Sequence, residues 1–154
     1  MVINGGKAVT PHFGIKIENE DKTQIKILEY PEEENRISKQ TSETMKQLLE
    51  AVVDGGSGKN AYIEGFRIGG KTATSEKLPR SSNKYISSFI GFAPADCPKV
   101  IAIVLIDEPE GIYYGGTIAA PVIKEVFENV LPYLGIEQHY IAAPEKETGQ
   151  DGEE

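Results

Sequence analysis

Apolar residues along this chain switch between two periods, and the switches divide it into elements. Ile15 and Ile17, then Ile25 and Ile27, alternate with polar neighbours on either side of Asn19-Glu20-Asp21-Lys22. That predicts a hairpin over 13–29. Pro31 to Asn35 reads as an acidic loop. Beyond Ser38, a good N-cap, Met45, Leu48, Leu49, Val52 and Val53 fall at i, i+3, i+4, i+7 and i+8. The spacing predicts a helix over 38–54 with one apolar stripe, ended by Gly55-Gly56. A Met and Leu stripe of this kind is core packing.

Period two then returns. Residues 66–74 read as a strand, interrupted by Gly69-Gly70, a pair that marks close approach of another backbone or a ligand. Residues 75–83 read as a polar loop. Over 84–93, Tyr85, Ser87 and Phe89 alternate with Ile86, Ser88 and Ile90. Residues 99–107 are almost continuously apolar, as in a central strand covered on both faces. The short link from Pro94 to Pro98 predicts antiparallel pairing of the last two strands. Ile118, Val122, Val126 and Val130, with Ile123, Phe127 and Leu131, give a closing helix over 117–134, with Pro121 in its first turn and Gly135 after it. The fold class expected is α+β: an antiparallel sheet of 66–74, 84–93 and 99–107, helices 38–54 and 117–134 packed on it, and the 13–29 hairpin apart.

Composition narrows the options. A chain of 154 residues, 39% hydrophobic, has room for one core. Its formal net charge of −8 argues against a nucleic-acid partner, which needs clustered Lys and Arg. Between Glu145 and Glu154 there are five acids and one base, Lys146. With no large apolar residue there, 137–154 is expected to be a disordered acidic tail behind a domain over 1–136. The single Cys97 allows no internal disulfide, and neither a His nor a basic cluster beside it would activate the thiol. No stretch is apolar enough to cross a membrane. Asn4-Gly5-Gly6 reads as a helix end with almost no helix before it, the expectation for a piece of a longer domain.

The chemically suggestive stretch is Gly65-Phe66-Arg67-Ile68-Gly69-Gly70-Lys71-Thr72. It matches the phosphate-loop pattern G-x-x-x-x-G-K-[ST] letter for letter. That motif works only between a buried strand and a helix opening after the Lys-Thr pair. Here a polar, Gly-rich segment precedes it, and Ala73 to Pro79 follow without helical period. A nucleotide-binding protein is therefore the weaker alternative. A non-catalytic interaction module is another.

The same residues fit a second pattern. Lys71-Thr72-Ala73-Thr74 resembles the K-T-G-T strand of penicillin-binding proteins and serine β-lactamases. Gly58-Lys59-Asn60-Ala61 resembles that family's run into the strand. Phe89-Ile90-Gly91-Phe92-Ala93-Pro94 resembles its next strand and turn, and Gly115-Gly116-Thr117-Ile118-Ala119-Ala120-Pro121-Val122 the start of its closing helix. The ordered set, over about residues 2–136, resembles the C-terminal part of the transpeptidase domain of a class B penicillin-binding protein of the cell-division or sporulation type.

The resemblance implies a serine-type D,D-transpeptidase. A serine of an S-x-x-K motif attacks the D-Ala-D-Ala carbonyl of a peptidoglycan stem peptide and forms an acyl-enzyme. β-Lactams mimic that dipeptide. By the same resemblance, Lys71 supplies positive charge near the second serine motif and the substrate carboxylate. Thr72 and Thr74 turn hydroxyls toward that carboxylate, and the Thr74 backbone N–H is an oxyanion-hole donor. No cofactor or metal is implied. The parent is expected to be membrane-anchored through N-terminal parts, with this portion outside the cytoplasmic membrane.

Two departures stand out. The upstream S-x-x-K and S-x-N motifs have no counterpart: Ser81-Ser82-Asn83-Lys84 spells the first, but after the lysine strand and in a polar loop. His12 and His139 stand near opposite ends without a matching motif. Ala73 replaces the family's usual glycine. The chain alone is therefore expected to be inactive, and an uncovered surface to favour a homo-oligomer.

Overall fold

The computed structural model describes residues 1–33 and 36–138. The expected tail lies outside these residues except for Glu137 and Gln138, and so does His139. The element order is β1 (Ala8–Val9), β2 (Lys16–Glu18), β3 (Ile25–Ile27), β4 (Glu32–Glu33), α1 (Lys39–Asp54), β5 (Gly69–Glu76), β6 (Tyr85–Ala93), β7 (Val100–Asp107), α2 (Gly115–Ile118) and α3 (Ala120–Tyr133). This is the expected α+β architecture.

The sheet is antiparallel in the order β5-β6-β7. Lys71 pairs with Ile90 and Thr72 with Phe89, and Phe89 pairs onward with Val104. One face carries Ser87, Phe89, Gly91 and Ala93, all buried. Over it sit Val53 of α1 and Ile123, Phe127 and Leu131 of α3, in one core with Ile63, Ile68 and Ala119. Phe89 and Phe127 are fully buried. Burying such a side chain contributes roughly 1.5–3 kcal/mol. Gly70 makes the close fit possible, because a Cβ there would lie 2.5 Å from the Phe89 ring and 2.7 Å from the Ile90 carbonyl oxygen.

Ser38 caps α1, its side chain accepting from the Thr41 N–H. Of the predicted stripe, Val53 is buried, whereas Leu48 is 58% exposed. The stripe omits Lys46, which is buried and donates to the Asp96 carbonyl at 2.7 Å. Arg67 binds Glu50 through two hydrogen bonds of 2.7 Å and Asp96 at 3.0 Å, tying the approach to β5 onto α1. The Glu50 hydrogen bond, first among several causes, raises the Arg67 pKa.

Several boundaries differ from expectation. The lysine strand begins at Gly69 and runs on to Glu76, so 66–68 are approach and 75–76 are strand. The closing helix is divided at Ala119, with α2 before it and Pro121 in the first turn of α3. Glu32–Glu33, expected as loop, pairs with Ala8–Val9. The main correction concerns β7. Among the described residues it is not a central strand covered on both faces. It lies at the margin of the described sheet, and its side chains alternate. Val100, Ala102, Val104 and Ile106 face the core, while Ile101, Ile103 and Leu105 are 58%, 58% and 63% exposed. A run of apolar residues cannot reveal which of its two faces the rest of the chain covers.

The β2–β3 hairpin pairs Lys16 with Ile27 and Glu18 with Ile25, and both strands are exposed. At the N-terminus, Gly5 and Gly6 adopt φ of 81° and 96°, and the Gly6 N–H donates to the Met1 carbonyl. A Cβ on Gly6 would also lie 2.0 Å from the Ile37 carbonyl oxygen, so glycine is required there twice over.

The lysine strand and its cavity

β5 is an edge strand, and its register decides which groups it offers. The Lys77 N–H donates to the Lys84 carbonyl at 2.7 Å. Residues 77 and 84 continue the register of the β5–β6 ladder. In an antiparallel ladder the bonded positions alternate. Gly69, Lys71, Ala73 and Ser75 therefore bond to β6, and the main-chain groups of Thr72 and Thr74 point to the open edge. The Thr74 N–H and the Thr72 C=O face outward on the same margin.

Side chains divide the other way. Thr72 and Thr74 lie on the face of Phe89 and Ser87, beneath which α2 begins. There the Gly115 N–H donates to the Thr74 hydroxyl oxygen at 3.2 Å. The Ser57 and Thr72 hydroxyls are 3.2 Å apart, and the Asn60 side chain donates to the Gly116 carbonyl at 2.8 Å. These contacts close a cavity of about 350 Å³ between Ser57, Lys59, Asn60, Thr72, Thr74 and the Tyr114–Thr117 turn. Among the described residues its lining holds no Asp or Glu. Gly115 can take no side chain, since a Cβ would meet the Ser88 and Ala73 carbonyl oxygens at 2.2 and 2.4 Å.

Lys71 is not in that cavity's lining. Its side chain belongs to the opposite face, with Ile90, and its Nζ donates to the Thr72 carbonyl at 2.8 Å. The three residues singled out by the sequence thus share one strand but not one face. Ala73 is exposed.

Beside the cavity stands an aromatic stack. The Tyr85 and Tyr113 rings are 4.1 Å apart and nearly parallel, and Tyr114 leans on Tyr113 at 4.7 Å. A hydrogen bond with Tyr113, above all, raises the Tyr114 pKa. The Ser87 hydroxyl donates to the Tyr113 carbonyl and holds this segment to the sheet. At the far end of the ladder Lys77 binds Asp107 at 2.9 Å and Glu108 at 2.7 Å, and Lys84 binds Glu108 at 2.6 Å.

The phosphate-loop alternative fails on this geometry. Gly69 to Thr72 are strand, not loop, and the chain after Thr72 continues as strand to Glu76. No helix N-terminus opens there to receive a phosphate. Ser81 and Ser82 sit in a short 3-10 turn between β5 and β6, and Lys84 is engaged by Glu108. His12 stacks on Tyr30 with ring centroids 3.7 Å apart.

Comparison with known proteins agrees with the mixed helix and antiparallel-sheet fold. The family described as penicillin binding protein transpeptidase domain matches residues 1–128. The chain belongs to this family. It is 40% identical over 139 residues to stage V sporulation protein D of Bacillus subtilis, covering 87% of the chain and 22% of that protein. It is 38% identical over 108 residues to the peptidoglycan D,D-transpeptidase FtsI of Escherichia coli, covering 67% and 18%. Among solved structures it is similar to penicillin-binding protein 3 of Mycobacterium tuberculosis complexed with ampicillin, with a TM-score of 0.78 and 26% identity over 93% of the chain and 34% of that structure. The chain therefore spans about a fifth of the length of these curated relatives.

Sequence reasoning left four residues of this site without a role: Ser57, Lys59, Asn60 and Gly115. Lys59, Asn60 and Gly115 stand inside the segments that carry the family resemblance and Ser57 just before one of them, yet no periodicity signals that they converge. Only the packing of the 57–61 segment and α2 against β5 brings them together.

Proposed function

We propose that this chain forms one wall of the active site of a peptidoglycan D,D-transpeptidase. The observation that carries the reading is the open edge of β5. It presents the Thr74 N–H and Thr72 C=O to an extended peptide, beside a cavity of hydroxyl groups. In this reading a D-Ala-D-Ala stem peptide lies along that edge. The Thr74 N–H is one oxyanion-hole donor, a contribution of about 3 kcal/mol in comparable sites. The Thr72 and Thr74 hydroxyls meet the terminal carboxylate. Lys71, on the other face, supplies positive charge toward the part of the parent that carries the serine motifs. That serine attacks the D-Ala-D-Ala carbonyl, the terminal D-Ala leaves with a proton, and an amine from a neighbouring strand resolves the acyl-enzyme. β-Lactams occupy the same edge.

The nucleophile belongs to polypeptide outside this sequence, so the chain alone carries out no acylation. Incubation with a fluorescent penicillin and intact-mass measurement tests this, and a stable penicilloyl adduct would sink it. In a longer chain carrying the upstream S-x-x-K, Lys71→Ala lowers the acylation rate on the same assay. An unchanged rate there refutes the role of Lys71. The parent is anchored in the cytoplasmic membrane by its N-terminal parts, with this portion on the outer side. No described helix is long and apolar enough to cross a membrane.

A second reading concerns the chain by itself: self-association through β7. Its odd-numbered residues turn their main-chain groups to the open margin, since the Glu108 N–H donates to the Tyr85 carbonyl and the bonded positions alternate from there. Antiparallel pairing of two copies about Ile103 sets Ile101 against Leu105 and Lys99 against Asp107. Apolar rows and opposite charges then match on both copies.

A further inference from the structure

We propose that Lys59, rather than Lys71, is the cation that recognises the substrate carboxylate at the Thr72–Thr74 cavity. The inference rests on the D-Ala-D-Ala reading above and adds a specificity-determining residue to it. Four observations carry it.

The first is sign. The chain has a formal net charge of −8, with 24 acids against 16 bases, yet among the described residues no acid lines this cavity. Its lining is rich in donors, and among the described residues Lys59 is the one cationic side chain in it.

The second is availability. Lys77, Lys84, Lys46 and Arg67 all engage carboxylates. Lys59 is exposed and makes no ion pair with any described residue. Its charge remains available for a ligand.

The third is the face. Lys71 lies on the other side of the strand and turns back to the Thr72 carbonyl. A carboxylate held by the Thr72 and Thr74 hydroxyls is reached from the cavity side, which is the side of Lys59.

The fourth is hydrogen-bond direction. A hydroxyl has one proton to give. Because the Gly115 N–H donates to the Thr74 oxygen, the Thr74 proton is not used in that bond and is free for an acceptor such as a carboxylate. Lys59 is further placed by the turn it begins: its own N–H donates to the Gly56 carbonyl at 3.2 Å, and its carbonyl accepts from Tyr62 at 3.1 Å. The backbone is thus fixed while the side chain stays in solvent. In that setting an ion pair is modest, so the expected effect is about fivefold in affinity.

The test uses the chain itself, isotopically labelled, and two probes: N-acetyl-D-Ala-D-Ala and its C-terminal carboxamide. Amide shifts of Ser57, Thr72, Thr74 and Gly115–Thr117 report binding. The carboxylate is expected to bind more tightly than the carboxamide. Lys59→Met should weaken the carboxylate about fivefold and leave the carboxamide unchanged, while Lys59→Arg retains the preference and Lys71→Met leaves it intact. Circular dichroism checks that each variant folds. If Lys59→Met keeps the full carboxylate preference, or Lys71→Met abolishes it, the proposal is overturned and the cavity reading stands. If neither probe shifts the cavity amides, the D-Ala-D-Ala reading fails and this assignment falls with it.

Discussion

The Gly115 N–H donates to the Thr74 hydroxyl oxygen at 3.2 Å, so the strand that bears the lysine motif and the turn that opens the closing helix are joined at one side chain. The bond satisfies an amide at the start of α2, where helices leave amides unpaired. It also leaves the Thr74 proton free for another acceptor.

Thr74→Val removes both functions while keeping the shape. The Gly115 amide loses its acceptor, which costs about 1 kcal/mol of stability. The cavity also loses a donor, so the shifts caused by N-acetyl-D-Ala-D-Ala should vanish from Ser57 and Gly116. Chemical denaturation and the peptide titration together check this. A variant that still binds the peptide as tightly as the parent chain contradicts the role given to Thr74.

Gly70 supports the core from the same strand. A methyl there meets the Phe89 ring and the Ile90 carbonyl, and a backbone oxygen cannot move aside cheaply. Gly70→Ala is expected to cost about 2 kcal/mol, seen as a thermal midpoint lower by about 4–8 °C. Gly55→Ala serves as the control, because nothing lies within 4 Å of a Cβ at that position.

The clasp of Lys77, Lys84, Asp107 and Glu108 makes stability depend on acidity. Hydrogen bonds from Lys77, then Lys84, lower the Glu108 pKa from 4.5 to about 2. With the folded value depressed, the contribution of this carboxylate is complete above the unfolded value of 4.5 and is lost as pH falls toward the folded one. Thermal midpoints should therefore decline across that window, and Glu108→Gln should flatten the decline. Identical pH profiles for the two proteins would refute the clasp.

The open margin of β7 gives a fourth expectation. Leu105→Lys places a charge in the apolar row of the proposed pairing, opposite Ile101 of the other copy. Sedimentation should show self-association of the parent chain at high concentration and a monomer for the variant. A parent chain that remains monomeric throughout rejects the pairing.

Sequence alone determined the local elements and the family. Period 3.6 over Met45–Val53 and period two over Tyr85–Ile90 encode a helix and a strand, because spacing fixes which side chains share a face. The ordered segments around Lys71, Phe89 and Gly115 were enough to indicate the penicillin-binding protein transpeptidase-domain family. Tertiary structure decided what each face meets. Val100–Asp107 is apolar at nearly every position, so its letters alone could not tell a strand covered on both faces from a margin with Ile101, Ile103 and Leu105 exposed. The same holds at the site. Lys71, Thr72 and Thr74 sit together in the chain, but strand alternation sends the lysine to one face and the threonines to the other. Ser57, Lys59 and Gly115, up to 58 positions apart, meet the threonines only because the 57–61 segment and α2 pack against the edge of one strand. Spacing fixes direction along an element, whereas proximity between elements arises from packing.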